Sequence, residues 1–210
     1  MLEIVTLQLG PVMTNAYLVA DTDTNEAAII DPAWDGHIIL AEAEKRGWEI
    51  NQIWVTHAHF DHMGGTGAVV AGLENTPVVA LHPDDLPLWQ AKGGAPLFGV
   101  HFDSPGDPNL KLVHGQKLQL GTHAVEVRHA PGHTLGHVIF YFENDGLLFS
   151  GDVIFQDSVG RTDLPGGSWE TLLNSIQQQV LTLPDETRIF SGHGGETSVG
   201  RERKSNPFLR

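Results

Sequence analysis

The sequence predicts an α/β fold, mixed in the α+β sense, with two sheets packed face to face and helices outside. Three observations lead to this prediction. The chain opens with short apolar runs that end at Gly-Pro or Asp-Pro, which is typical of strands. Strand–helix units follow, and the same order, strands and then a helix with its strand, recurs in the second half. The composition, 40% apolar and 18% charged residues, is that of an ordinary globular protein.

The first half contains five predicted strands and three predicted helices. Gly10-Pro11 ends the first strand and Asp31-Pro32 ends the third. Asp35 can cap the first helix, and Gly47 can end it. We predict strands at residues 2–9, 16–20, 27–30, 50–55 and 77–81, and helices at residues 35–46, from about 62–65 to 72, and at 83–91.

The second half is richer in strands. We predict strands at residues 117–120, 123–128, 137–142, 147–150 and 187–190 and a helix at 169–183, with Ser168 as its N-cap. Two Gly-, Pro- and Asp-containing stretches, residues 92–109 and 153–167, are predicted to be long loops, and such loops are often functional. No repeat or linker divides the chain, so a single domain over residues 1–210 is expected.

Composition and charge restrict the possible functions. No apolar run is long enough for a membrane span, and the N-terminus lacks the features of a signal peptide. Cysteine is absent, which excludes disulfides and thiolate ligands and, with the other features, favours a cytoplasmic protein. The formal net charge is −14, and the basic cluster at Arg201, Arg203 and Lys204 is small. We therefore expect neither a nucleic acid nor a membrane as partner.

The segment at residues 56–62 carries the densest set of potential metal ligands. His57, His59, Asp61 and His62 follow a short apolar run that is predicted to be a buried strand. Imidazole and carboxylate groups suit zinc, manganese or iron. A polar loop in a His-rich protein is the alternative interpretation, but three His and one Asp within six residues argue against it.

This H-x-H-x-D-H segment resembles the signature of the metallo-β-lactamase superfamily of hydrolases. The resemblance implies an αββα sandwich and three further ligands at the ends of later strands. The candidates are His133, Asp152 and His193, each of which comes shortly after an apolar run and has a glycine beside it. Each of them alone would more often be structural, but the ordered set of seven favours a metal site.

The resemblance also implies how the seven ligands are shared between two divalent metal ions. His57, His59 and His133 would hold the first ion, and Asp61, His62 and His193 the second. Asp152 would bridge both ions. Zinc is the expected metal, with iron or manganese as alternatives. Asp61 and Asp152 are also the expected catalytic residues, because they can accept a hydrogen bond from an attacking hydroxide held between the metals.

Residues outside this set receive more ordinary interpretations. Asp31 ends a predicted buried strand, so it is either a carboxylate that supports a metal-binding His or a simple turn residue before Pro32. Both interpretations stay open at this point. His137 follows His133 by four residues and begins a strand, which favours a structural role over metal binding.

Two later segments resemble the short, bacterial glyoxalase II-like thioesterases. They are Gly160-Arg161-Thr162-Asp163-Leu164-Pro165-Gly166-Gly167 and the C-terminal stretch at residues 192–208. The implied function is hydrolysis of S-(2-hydroxyacyl)glutathione, such as S-D-lactoylglutathione, or of a related thioester to the acid and thiol. The partner would be this small molecule, and the protein a monomer or homodimer.

Three basic residues are expected to bind the substrate: Arg161, Arg203 and Lys204. Full-length glyoxalase II has an additional C-terminal helical domain that helps to hold glutathione. This sequence ends at Arg210 without that segment, so weaker glutathione recognition is expected.

Other functions are considered beside thioester hydrolysis. A mononuclear iron persulfide dioxygenase shares Gly-Arg-Thr-Asp in this loop, but the continuation at Leu164 departs from the usual Phe. A non-catalytic metal-binding scaffold is disfavoured because all seven ligands are present. Lactonases and nucleases of the superfamily are further alternatives. The β-lactamase branch with a Cys ligand does not match a chain that has Asp152 and no Cys.

Overall fold

The computed structural model describes residues 1–102 and 106–209. Within these residues the first sheet has six strands in sequence order. Among the first three, neighbouring strands are antiparallel, and the last three run parallel to the third. Its strands are β1 (Leu2–Leu9), β2 (Thr14–Asp21), β3 (Glu26–Ile30), β4 (Glu49–Trp54), β5 (Val78–Leu81) and β6 (Leu110–Lys111).

The second sheet also has six strands, in the order β14-β13-β10-β9-β8-β7. Strands β10 and β13 are parallel, and the other neighbours are antiparallel. A separate two-stranded hairpin consists of β11 (Ile154–Phe155) and β12 (Ser158–Val159). The strands of the second sheet are β7 (Lys117–Leu120), β8 (His123–His129), β9 (Val138–Phe142), β10 (Leu147–Gly151), β13 (Arg188–Ser191) and β14 (Thr197–Ser198).

The central core lies between the two sheets. Side chains from β2 and β4, such as Tyr17 and Trp54, pack there against Phe140, Phe149 and Phe190 of the second sheet. Alternate residues of the same strands, such as Leu18 next to Tyr17, are buried on the opposite face. Because both faces of these strands are buried, their sequences are continuously apolar rather than alternating.

Helices cover the outer face of each sheet. Ile39 and Val69 pack on the first sheet, and Leu172 and Ile176 pack on the second. The helices are α1 (Gly36–Arg46), α2 (Phe60–Met63), α3 (Thr66–Gly72), α4 (Leu86–Gln90), α5 (Trp169–Ser175), which continues as a π-helical turn over Ile176–Val180, and α6 (Val199–Ser205). The αββα sandwich implied by the family resemblance is therefore confirmed.

Several local predictions differ from the structure. Residues 92–98 of the first predicted loop form 3₁₀ turns, whereas residues 103–105 of that loop lie outside the described residues. The second predicted loop contains the β11–β12 hairpin. Strands β6 and β14 and helix α6 were not predicted, because two-residue strands and a polar seven-residue helix show little hydrophobic periodicity.

The two predicted helix caps differ in outcome. Ser168 caps α5 as predicted, since its side chain accepts a hydrogen bond from the Thr171 backbone N–H. Asp35 precedes α1 but its side chain makes no cap hydrogen bond, because its backbone adopts a left-handed conformation with φ 46°. The capping role predicted for Asp35 is therefore wrong. None of the helices in the described part of the chain has the length and apolar character needed to cross a membrane.

Candidate metal centre

The seven predicted ligands meet at one edge of the two sheets. The segment at residues 57–62 follows β4, Asp152 follows β10 and His193 follows β13, so parallel strands deliver these groups at their carboxyl ends. His133 lies in the turn between β8 and β9. Segments far apart in sequence therefore bring their polar side chains to a common point, as the order of the motifs suggests.

The first group consists of His57, His59 and His133, whose ring nitrogens lie within 4.8 Å of one another. His57 is fully buried, and His59 Nδ1 lies 2.9 Å from His133 Nε2. His133 Nδ1 donates to the Arg161 backbone carbonyl at 2.7 Å, which leaves Nε2 free to act as an acceptor. A metal-bound His commonly donates its other N–H to a carbonyl in this way.

The second group consists of Asp61, His62 and His193. His193 Nε2 lies 3.3 Å from Asp61 Oδ2, and the Thr14 hydroxyl donates to the same oxygen at 3.0 Å. The loop that carries His193 is held to β2, because Asn15 Nδ2 donates to the carbonyls of residues 191 and 194. Neither Thr14 nor Asn15 was predicted from the sequence, since isolated polar residues in a strand give no signal of their partners.

Asp152 lies between the two groups. Its Oδ1 is 3.3 Å from His62 Nε2, and its Oδ2 is 3.6 Å from both His133 Nε2 and His193 Nε2. Gly192 makes this position possible, since a Cβ at residue 192 would overlap Asp152 Oδ1. The geometry therefore places one carboxylate within reach of both imidazole groups.

Asp31 organises two of the ligands from behind. Its Oδ2 accepts hydrogen bonds from His62 Nδ1 at 2.9 Å and from the Thr56 hydroxyl at 2.7 Å. Because the Thr56 hydroxyl donates to Asp31, His57 Nδ1 donates to the Thr56 oxygen at 3.0 Å. His57 Nε2 is thereby left as an acceptor, and His62 Nε2 becomes one when a metal ion displaces its proton. Of the two interpretations of Asp31, the structure shows the supporting carboxylate.

Asp85 is a second supporting carboxylate that was not predicted from the sequence. It is 1% exposed and accepts from the Ala58 N–H at 2.9 Å, the Thr134 hydroxyl at 2.8 Å and the Gly136 N–H at 2.7 Å. It thus joins the segment that carries His57 and His59 to the turn that carries His133. Pro83-Asp84-Asp85 is typical of an exposed helix start, so the sequence gives little sign of this role.

Several buried nitrogen and oxygen atoms of the cluster lack a hydrogen-bond partner, as expected of a metal-binding site. His57 Nε2, His62 Nε2 and Asp152 Oδ1 are buried and make no hydrogen bond. Buried polar atoms without a partner are costly, and ions bound at the two groups would give all three atoms a partner. The donors are imidazoles and carboxylates, which suits zinc, iron or manganese.

The protonation of the ligands differs between the two groups. Burial and the neighbouring imidazoles hold the pKa of His57 well below its usual range and lower the pKa of His59 to about 3. Burial by itself would lower the pKa of His62 and His193 too, but the carboxylates of Asp152 and Asp61 raise both. His57 and His59 are therefore neutral, whereas His62 and His193 bind protons more tightly than a free imidazole does in the metal-free protein.

The two carboxylates stay ionised. Burial alone would raise the pKa of Asp61, but His62 and His193 lower it to about 2. Burial would likewise raise the pKa of Asp152, but His62 above all lowers it below its usual range. The carboxylates of Asp61 and Asp152 can therefore act as anionic ligands and as hydrogen-bond acceptors near neutral pH.

His137 supports the centre without belonging to either group. Its Nε2 accepts from the Asp152 N–H at 3.0 Å, and its ring stacks on His57 at a centroid distance of 4.6 Å. Burial holds the pKa of His137 well below its usual range, so the ring is neutral. These contacts agree with the structural role that the sequence favours.

A cleft of about 480 Å³ opens above this cluster. Its floor includes His59, Asp61, His133, Asp152 and His193. The remaining residues that line it are Val12, Phe60, Gly93, Phe98, Phe155, Val159, Arg161 and Leu164. A concave site with a few converging polar groups is the usual form of a small-molecule site.

The three predicted substrate-binding residues lie in two different places. Arg161 lines the cleft, where its guanidinium bonds to both carboxylate oxygens of Asp163 at 2.7 Å. Arg203 instead donates to the carbonyls of residues 181 and 183 and pairs with Asp185. Lys204 lies 4.0 Å from the same carboxylate. The substrate role of all three stays a prediction.

Comparison with known proteins agrees with this geometry. The family model described as the metallo-beta-lactamase superfamily matches residues 9–193. The hydroxyacylglutathione hydrolase GloC of Haemophilus influenzae is 34% identical over 93% of this chain and 92% of its own length. Among solved structures, BLEG-1 B3 metallo-beta-lactamase is 38% identical, with a TM-score of 0.91 over 100% of this chain and 99% of its own.

A second solved structure bears on the metal. TTHA1623 in a di-iron-bound form is 40% identical to this chain, with a TM-score of 0.89, and the match covers 98% of this chain and all of that one. The fold, the seven converging donors and the family match point to the same conclusion. The chain belongs to the metallo-β-lactamase superfamily and is a metal-dependent hydrolase.

Proposed function

We propose that the protein is a thioester hydrolase of the hydroxyacylglutathione hydrolase type that works with two divalent metal ions. One observation carries the proposal. Two complete groups of donors, His57/His59/His133 and Asp61/His62/His193, face each other across Asp152 at the floor of the cleft. A single metal needs about four ligands and would leave part of this set without a role.

Water is the nucleophile in this proposal. The described residues that line the cleft include no Ser, Thr, Tyr or Lys, and the chain has no Cys. Apart from the carboxylates and imidazoles assigned to the metals, the described lining residues therefore offer no side chain for a covalent intermediate. When bound, divalent metals lower the pKa of a coordinated water to about 7 and polarise a substrate carbonyl.

The chain's own residues then have three tasks. The imidazoles and carboxylates hold the ions, with Asp152 touching both groups, and Asp31 and Asp85 orient these ligands from behind. The ionised Asp61 and Asp152 can accept a hydrogen bond from the water and orient it. The cleft walls receive the rest of the substrate.

A thioester suits the residues of the cleft. A thiolate is a good leaving group, so the reaction needs no strong general acid beside it. Apart from the ligand groups, the described lining residues include no His, Asp or Glu that could serve as such an acid. Similarity to GloC supports a glutathione-derived thioester as the reference substrate, with S-D-lactoylglutathione as the first to test.

The test uses protein loaded separately with zinc, manganese and iron. We expect hydrolysis of S-D-lactoylglutathione with at least one metal. The hydrolysis is measured as the release of free thiol. Oxygen uptake on glutathione persulfide by the iron-loaded protein, without thioester hydrolysis, would instead show a dioxygenase. A β-lactam belongs in the same panel because of the similarity to BLEG-1. No turnover of any of these compounds by the metal-loaded, folded protein would favour a non-catalytic scaffold.

A further inference from the structure

The walls of the cleft are apolar. Above the metal ligands, the lining side chains are Val12, Phe60, Phe98, Phe155, Val159 and Leu164, together with Arg161. The Phe60 and Phe98 rings lie 5.6 Å apart, and the Phe155 ring lies 6.1 Å from the His193 ring. An apolar group attached to the reacting carbon would therefore meet hydrocarbon walls next to the centre.

Part of this apolar surface is left in water. The Phe98 side chain is 53% exposed and Val12 is 46% exposed, although both line the cleft. Large exposed apolar groups at the mouth of a concave site commonly mark a surface that a ligand covers. Contact with an apolar ligand would remove these side chains from water and favour binding.

The charges around the cleft do not suit glutathione. Glutathione has a carboxylate at each end, and the protein has a formal net charge of −14. Arg161 is the cation among the described lining residues, and Asp163 already occupies its guanidinium through two hydrogen bonds. Arg203 and Lys204 lie against Asp185 instead. The carboxylates of glutathione would thus gain little compensation for the water they lose.

We propose that the preferred substrate is an uncharged thioester with an apolar acyl group rather than a glutathione thioester. This inference rests on the proposed function, since it concerns the same metal centre and reaction. It makes the cleft walls, and Phe98 in particular, determinants of specificity. The floor determines the reaction, and the walls determine which thioester undergoes it.

The first experiment compares two substrates with the zinc-loaded protein. One is the phenylacetyl thioester of N-acetylcysteamine, which is apolar and uncharged, and the other is S-D-lactoylglutathione. Each kcat/KM is divided by the rate of alkaline hydrolysis of the same compound, which removes differences in intrinsic reactivity. We expect the phenylacetyl thioester to be favoured by about tenfold or more, as burial of a ring predicts. Equal values, or a preference for lactoylglutathione, would overturn the inference.

Phe98→Ser is the specific variant, and Leu97→Ser is its matched control. Leu97 is the adjacent residue, is 76% exposed and does not line the cleft. We expect Phe98→Ser to lower kcat/KM for the phenylacetyl thioester about fivefold, and to lower it less for lactoylglutathione, whose acyl group has no ring to place against Phe98. Leu97→Ser should change neither substrate. An equal loss for both substrates in Phe98→Ser, or the same loss in Leu97→Ser, would contradict the assignment.

A binding measurement separates this inference from the proposed reaction. The probe is a thioether analogue of the phenylacetyl compound, in which a methylene group replaces the carbonyl so that no hydrolysis can occur. Calorimetry should show that the analogue binds to the zinc-loaded protein and binds several-fold more weakly to Phe98→Ser. This result without turnover of any thioester would refute the reaction but support the apolar site. Absence of Phe98-dependent binding would refute the apolar site, whatever the protein hydrolyses.

Discussion

The floor and the walls of the cleft are built in different ways. Directly beneath the floor, His57 and His62 are fully buried, and the Asp31 carboxylate fixes both, in one case through Thr56. On the walls, Phe98 is half exposed, and Arg161 is held by an ion pair that is itself exposed. The floor is therefore a preorganised polar network, whereas the walls present single side chains to solvent. Substitutions on the floor should impair the reaction itself, and those on the walls should change substrate preference.

The largest loss of activity is expected when the carboxylate shared by the two ligand groups is removed. Asp152→Ala removes the side chain that reaches His62, His133 and His193. Turnover of any thioester should fall at least about 10²-fold, as loss of a key electrostatic group does. The matched control is Asp107→Ala, since Asp107 is an exposed carboxylate that accepts from Gln90. Near-normal turnover in a folded, metal-loaded Asp152→Ala protein would remove Asp152 from the centre.

A smaller effect is expected from a supporting residue. In Asp31→Asn, an amide N–H would face the donors of Thr56 and His62 in place of one acceptor oxygen. Metal affinity should fall about 10- to 100-fold, which is typical for such supporting groups. Competition with a chromophoric chelator measures this affinity. Unchanged affinity for both metals would show that the Asp31 network does not orient the ligands.

The two metals should differ in how their binding depends on pH. The pKa of His62 and of His193 is raised, so a metal at the second group must displace protons. The pKa of His57 and His59 is lowered, so these rings are already neutral. As the pH falls from 8 to 6, affinity at the second group should weaken by up to about tenfold per unit for each proton displaced. Affinity at the first group should change less. Parallel weakening at both groups, in chelator titrations at several pH values, would contradict this assignment.

The smallest change in kinetics is expected for a substitution in the wall of the cleft. Arg161→Ala should raise KM for S-D-lactoylglutathione about two- to threefold and leave kcat nearly unchanged, because the guanidinium is 56% exposed and already paired. The uncharged phenylacetyl thioester should be affected less. Arg188→Ala is a matched control, since Arg188 forms a similar exposed pair with Glu196. An equal change for both substrates would exclude a contact between Arg161 and the substrate carboxylate.

The metal ligands could be predicted from the sequence better than the residues that hold those ligands in place. His57, His59, Asp61 and His62 lie within six residues and are chemically distinctive, so their meeting point could be inferred from one short segment. Asp85, Thr14 and Asn15 were missed, because each acts on a partner that only the folded chain brings near. The longer strands were predicted, whereas two-residue strands such as β6 and β14 were not. Hydrophobic periodicity can be recognised only in a longer segment.

Specificity was the least predictable part. Arg203 and Lys204 follow His193 closely in sequence, but α6 carries them to Asp185. Conversely, Val12, Phe98 and Phe155 come from three distant segments and carry no motif, yet they line the same cleft. Proximity in sequence thus gave a poor guide to which side chains surround the substrate.

The central claim is that the seven ligands hold two metal ions. Elemental analysis of the protein after saturation with zinc and removal of excess metal tests it most directly, with the Asp152→Ala and Asp107→Ala proteins measured beside it. The account predicts two zinc ions per chain in the unmodified protein and in Asp107→Ala, and fewer than two in Asp152→Ala. No more than one ion per chain in the unmodified protein, after loading with zinc, manganese and iron in turn, would contradict the account.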